Sequence, residues 1–181
     1  MIDEEVDLDT FNYVYEKLQT NHMGNRGIAD GNKEQQIIGG IGEVIIRKTL
    51  GLPKPTFDKG FDGGIDLDYD GKTIDVKTMG RTVAPKPDYV NNFIAFQKNF
   101  DCDYLAFCSF NKINWVLTIC GIIEKVEFLE KADYFPEGVL RYRADGTSFE
   151  TKAPMYELTN DKLKGLWDVL NKKSIGDTDA R

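Results

Sequence analysis

The chain has one histidine, His22, and three cysteines, Cys102, Cys108 and Cys120, in 181 residues. A single histidine excludes every mechanism that needs a pair, the His-Glu-x-x-His metalloproteases included. A Ser-His-Asp triad would rest on His22 alone, and no Gly-x-Ser-x-Gly elbow accompanies it, so His22 reads as a loop residue. The cysteines are odd in number and lack Cys-x-x-Cys spacing, which argues against zinc knuckles and thioredoxin-type redox sites. Cys108 and Cys120 stand inside apolar runs, as small buried hydrophobes of a reducing cytosol do. No stretch approaches the ~18 uninterrupted apolar residues of a membrane-spanning helix. The opening Met1-Ile2-Asp3-Glu4-Glu5 lacks the basic and apolar segments of a signal peptide. A soluble, cytoplasmic protein is expected.

Positive charge is also scarce. Lys and Arg number 23 against 30 Asp and Glu, a net −7, which argues against coating nucleic acid or anionic membrane by bulk charge. The deficit is local, however. Asp3, Glu4, Glu5, Asp7 and Asp9 supply five negative charges, leaving −2 for residues 10–181. Residues 71–100 carry Lys72, Lys77, Arg81, Lys86 and Lys98 against Asp75 and Asp88, a local +3. With 41% apolar and 12% aromatic residues, the chain is long and apolar enough for one globular domain with a proper core.

Phe11, Val14, Tyr15 and Leu18 follow helical spacing and predict a helix over 9–19, then a Gly/Asn-rich loop over 20–32. Asn32 with Gln35 reads as a capping pair, and Ile37, Ile38, Ile41, Val44 and Ile45 form the apolar stripe of a helix over 33–50. Gly39, Gly40 and Gly42 sit inside it. Each costs up to ~1 kcal/mol against Ala, which implies close backbone approach to a sheet or ligand. Glu43 lies beside them, on a face with Gln36, Gly40 and Arg47. Alternation around Asp70-Gly71 predicts a hairpin. Beyond it the pattern gives a helix over 89–100, strands over 103–110 and 114–122, and a helix over 124–131. A second hairpin follows at Asp145-Gly146, then a helix opened by Thr159 or Asn160, then a frayed tail. Trp115 and Trp167 stand in apolar patterns and read as core.

The first hairpin carries the chemistry. A two-residue turn at Asp70-Gly71 sets Asp66 opposite Asp75 and Gly64 opposite Lys77. Period-two alternation then puts Ile65, Leu67, Ile74 and Val76 on a core face, and Asp66, Asp68, Asp75 and Lys77 on the other. Opposed carboxylates repel, by about 4 kcal/mol at ~4 Å and an effective dielectric of ~20 before solvent exposure reduces it. A divalent cation between Asp66 and Asp75 turns that conflict into attraction. Mg²⁺, with its taste for a few carboxylates, waters and phosphate oxygens, suits such a face. Lys77 stands ready to position water or stabilise charge on phosphorus. The bland alternative is a polar strand face on which Lys77 neutralises an exposed carboxylate.

Gly64-Ile65-Asp66-Leu67, then Ile74-Asp75-Val76-Lys77-Thr78, after a helix with Gly42-Glu43, resembles the PD-(D/E)XK (restriction-endonuclease-like) nuclease superfamily over about residues 33–120. The resemblance implies an α/β fold, a central mixed sheet flanked by helices, and Mg²⁺-dependent hydrolysis of DNA phosphodiester bonds, with Mn²⁺ as substitute. It makes Asp66 the motif aspartate, Asp75 the second acidic ligand, Lys77 the catalytic lysine and Glu43 the helical acid. The Val76 carbonyl becomes a further ligand. Ile65 replaces the usual Pro, and Asp62 competes with Asp66 for the motif position. The Gln-x-x-x-Tyr of the RecB-like branch is unmatched, since Asp101 follows four after Gln97. Arg81 is the leading phosphate-contact candidate, with Gln36 and Arg47 behind it; Arg141 and Arg143 read as a solvated ladder opposite Glu150. The resulting plan is one domain. It has an acidic N-terminal helical segment over 1–32, a nuclease core over 33–122, additions over 123–172 and a tail over 173–181. DNA is the expected partner, a homodimer is left open, and a non-catalytic nucleic-acid-binding or protein-interaction module on the same fold is the alternative.

Overall fold

A computed structural model describes residues 1–20, 31–58, 63–142 and 147–171. The loop expected after residue 20, with His22, the competing Asp62, Arg143, the Asp145-Gly146 turn and the tail fall outside the described residues.

Three of the N-terminal acids, Asp3, Glu4 and Glu5, belong to the sheet. Ile2–Glu5 is strand β1, with alternating exposure. Asp7 then caps helix α1, Leu8–Thr20, accepting from the Thr10 amide at 2.7 Å, and the Thr10 hydroxyl together with that amide holds the Asp7 carboxyl below its usual pKa. Helix α2, Lys33–Thr49, starts on the expected reciprocal cap, Asn32 Oδ1 to the Gln35 amide at 2.9 Å and Gln35 Oε1 to the Asn32 amide at 2.8 Å.

Strands β2, Leu67–Tyr69, and β3, Lys72–Arg81, form the expected hairpin. Asp70 and Gly71 take φ of +52° and +76°, the paired positive values a two-residue I′ turn requires. The segment expected as a helix over 89–100 is instead strand β4, Val90–Ile94, followed by a 3-10 turn, Ala95–Asn99. Its buried residues, Asn91 and Phe93, alternate with half-buried ones, so a period of two wins; Phe93, Phe96 and Phe100 had imitated helical spacing.

Strands β5, Tyr104–Asn111, and β6, Val116–Glu124, precede helix α3, Lys125–Lys131. Then come β7, Asp133–Phe135, β8, Leu140–Tyr142, β9, Ser148–Glu150, and β10, Met155–Thr159. The final helix is shorter than its apolar pattern suggests. Asn160–Lys162 is a 3-10 turn, and α4 covers Leu166–Leu170 only.

The fold is α/β. Five strands form a mixed sheet in the order β1-β6-β5-β3-β2, with β3 and β5 parallel and the other pairs antiparallel. A second sheet, β4-β10-β7, and the β8–β9 ribbon stand apart from it. One core, with Val14, Ile41, Ile45, Ile74, Val76, Ala106 and Leu166, joins α1, α2 and α4 to the main sheet. A second core, with Phe93, Leu105, Phe107, Phe128 and Leu158, joins the sheet to β4, β10 and α3. Both faces of β3 are therefore covered. The face expected to be polar and open lies against a second core, and Asp75 is 2% exposed. Among the described residues no helix is long and apolar enough to cross a membrane.

Candidate active site

Gly42 explains how α2 reaches the sheet. A Cβ there would fall inside van der Waals contact of the Thr78 hydroxyl, so only glycine lets the helix backbone lie on β3 at this point. Gly80 of β3 meets Ile38 in the same way, its would-be Cβ 2.7 Å from that methyl. The penalty read from the sequence is offset by this approach. It also delivers the next residue, Glu43, to the end of the hairpin.

The hairpin ladder holds its predicted register from Tyr69↔Lys72 to Leu67↔Ile74, then changes. The Asp66 amide also donates to the Ile74 carbonyl, at 3.0 Å, so Asp66 and Leu67 together face one residue, the count of a β-bulge. Asp66 is consequently not opposite Asp75, and Ile65 packs in the second core while Leu67 packs in the first. The bulge re-aims the Asp66 carboxylate along the sheet edge, where Oδ2 accepts from the Val76 amide at 2.6 Å. N–H and C=O of one strand residue share an edge, so the Val76 carbonyl faces the same opening.

Asp75 and Lys77 keep their shared face. Lys77 Nζ sits 2.7 Å from Asp75 Oδ1 and 5.8 Å from the centre of the Phe93 ring. Asp75 Oδ2 is buried and has no hydrogen-bond partner. Glu43, 8% exposed, pairs with Arg47 at 3.0 Å, and Arg47 also donates through Nη2 to the Asp66 carbonyl. Burial and the neighbouring Asp75 and Glu43 charges hold the Asp66 carboxyl well above its usual pKa; Lys77 and the Val76 amide oppose that only in part.

Thus Glu43, Asp66, Asp75 and Lys77 come together, with Arg47 and the Val76 carbonyl at the edge. Arg47 acts as a clamp within the site. Arg81 does not join them. It lies four residues beyond Lys77, ~13 Å along the strand, donates to the Val90 carbonyl at 2.8 Å and stacks on Tyr89. Gln36 stands seven residues before Glu43, ~10 Å along the helix axis. The basic stretch is likewise divided, since Lys72 donates to the carbonyls of Val169 and Leu170, both at 3.3 Å.

Two neighbours had no sequence signal. Burial pushes the Cys102 thiol up to about 11; it feels Asp75 and Asp66 on one side and Lys125 and Lys77 on the other. Phe100 packs on Gly64, whose φ of +83° and missing Cβ make room for the ring two residues before Asp66. Elsewhere, Trp115 packs with Phe11 and Phe110, whereas Trp167, expected in the core, is 38% exposed. Arg141 pairs with Phe149 in the ladder rather than with Glu150, and its guanidinium turns inward to Glu157.

Among the described residues, no group of three or more His, Cys, Asp or Glu side chains converges into a ready-made metal cage. The arrangement offers fewer ligands: two carboxylates, one with an unpartnered buried oxygen, and a backbone carbonyl. Comparison with family models, curated proteins and solved structures found no match for this chain.

Proposed function

We propose that this chain is a metal-dependent nuclease of the PD-(D/E)XK, restriction-endonuclease-like superfamily that hydrolyses DNA phosphodiester bonds, acting as an endonuclease. Asp75 Oδ2 carries the reading, as a buried carboxylate oxygen without a partner, beside a second carboxylate whose charged form is disfavoured. The order of α2, the β2–β3 hairpin and parallel β5 supports it, although β4 and a 3-10 turn stand where a helix was expected.

The residues fit Mg²⁺, which takes one or two carboxylates and keeps waters and phosphate oxygens, so a closed cage is not required. Asp66, Asp75 and the Val76 carbonyl would hold it, or Mn²⁺ in its place. When bound, the cation polarises the phosphoryl oxygens and activates water. The chain does the rest. The Val76 amide fixes the Asp66 carboxylate, and Arg47 fixes Glu43. Lys77 would stabilise the charge that develops on the non-bridging oxygens. The water oxygen gives up a proton to solvent and bonds to phosphorus as the bond to the leaving sugar oxygen breaks, and that oxygen takes up a proton from solvent.

Divalent-dependent nicking of plasmid DNA, lost in Asp75→Ala and in Lys77→Ala, is the expected result. Intact DNA at every Mg²⁺ and Mn²⁺ concentration would overturn the enzyme reading. One observation favours a second reading, a non-catalytic module on the same fold: the Lys77–Asp75 pair already closes on itself at 2.7 Å. That reading expects no rise in melting temperature with Mg²⁺.

A further inference from the structure

Beside the acid cluster the chain leaves a large aromatic side chain in solvent. The 3-10 turn after β4 directs Gln97 inward, to 6% exposure, and Phe96 outward, to 43%. Phe96 is held in place. Its ring meets Phe100 edge-on, with centroids 5.6 Å apart and planes at 79°. Phe100 in turn packs on Gly64, two residues before Asp66, and its carbonyl accepts from Lys125 Nζ. Lys98 stands exposed on the same turn. Of the nearby acids, Asp103 is occupied by the Thr73 hydroxyl and amide at 2.7 and 3.1 Å, and Asp101 faces solvent.

An ordered aromatic face with lysines beside it is how proteins hold single nucleic-acid strands, because every base has a face to stack while the phosphates seek positive charge. An intact duplex keeps its bases stacked inside and offers Phe96 nothing. The contacts Phe96–Phe100–Gly64 connect this face to the chain two residues before Asp66, and Lys125 secures Phe100 through its carbonyl. We propose that Phe96 is a base-stacking platform for a DNA strand with unpaired bases, with the exposed Lys98 contacting a phosphate that flanks the one at Lys77. This rests on the nuclease reading of Asp66, Asp75 and Lys77, and narrows its substrate to single strands and unpaired flaps.

Fluorescence anisotropy of a dye-labelled oligonucleotide, single-stranded or as blunt duplex, in Ca²⁺ with the full chain, tests it. Phe96→Ala weakens single-strand binding about tenfold, the effect of losing one stacked base, and leaves duplex binding unchanged. Phe96→Trp restores the affinity, and its added indole fluorescence is quenched by the single strand alone. Lys98→Ala lowers the slope of log affinity on log salt by about 1. An unchanged melting temperature and Mg²⁺-induced shift in Phe96→Ala exclude misfolding as the cause. Wild-type single-strand affinity in Phe96→Ala, or an equal loss on duplex, overturns the platform. The two readings fail separately. Absence of cleavage together with a Phe96-dependent preference for single strands sinks the enzyme and supports the platform. Cleavage that needs Lys77 but ignores Phe96 sinks the platform alone.

Discussion

Two buried ion pairs in this molecule look alike and differ in their surroundings. Glu157 and Arg141 meet at 2.6 Å, with the glutamate 5% exposed and the guanidinium over the Phe135 ring at 3.6 Å. Asp75 and Lys77 meet at 2.7 Å, with the aspartate 2% exposed. The first pair is one acid against one base, backed by an aromatic face, and it ties the β8–β9 ribbon to β10. The second stands among further acids, Asp66 and an Arg47-paired Glu43, and its unpartnered buried atom is an acceptor, Asp75 Oδ2, where the first pair's is a donor, Arg141 Nε. A balanced pair is a latch. A pair set among further acids is where the proposed cation would sit.

The largest effect that can break this comparison is on activity. Lys77→Ala and Asp75→Ala should each lower DNA cleavage by at least about 100-fold, the scale of losing a group that meets developing charge. Arg141→Ala should leave the rate per folded molecule unchanged. If both pairs affect cleavage equally, the distinction is wrong.

Stability should divide them in the other direction. Arg141→Ala strands Glu157 in the interior and should cost about 3 kcal/mol, measured by urea unfolding. Mg²⁺ should raise the melting temperature of wild type and of Arg141→Ala alike, and have no effect on Asp66→Asn.

Gly42→Ala comes next. Its methyl group would press on Thr78, and overpacking of this kind costs about 1–3 kcal/mol. Adding Thr78→Ala should recover most of the loss, because it removes the hydroxyl, the nearest atom the new methyl meets. Failure to recover would mean that the helix is set on the sheet by something other than this contact.

The smallest effect is on pH dependence without metal. Asp66 has a folded pKa above its unfolded value, so its contribution favours the fold below about pH 3.9 and is lost as pH rises through the folded value. Asp66→Asn should therefore flatten the fall in melting temperature on that alkaline side in EDTA. Asp7 and Asp103 work oppositely. Their pKa values are lowered by hydrogen bonds from Thr10 and Thr73, so their stabilisation is present above the unfolded pKa and fades as pH falls through the folded values.

Much of the site was legible because its signals are short in range. The cap at Asn32, the I′ turn at Asp70-Gly71 and the shared face of Asp75 and Lys77 each depend on residues a few positions apart. The bulge at Asp66 was not legible. It forms where the chain leaves the ladder to place Ile65 in one core and Leu67 in the other, and no alternation pattern records that there are two cores. Strand β4 was misread for a related reason: its pattern suits a helix until β10 arrives, about sixty residues later, to pair with it.

By itself the sequence determined which charged groups travel together on β3, and that a glycine-bearing helix precedes them. Those facts follow from turn geometry and strand periodicity. Only the tertiary structure decided that the charged face is buried, that Asp66 turns to the Val76 amide, and that Arg81 is tied to Val90 at the other end of the strand. Each of these depends on which distant segment covers the sheet, and burial is what makes a carboxylate oxygen without a partner costly.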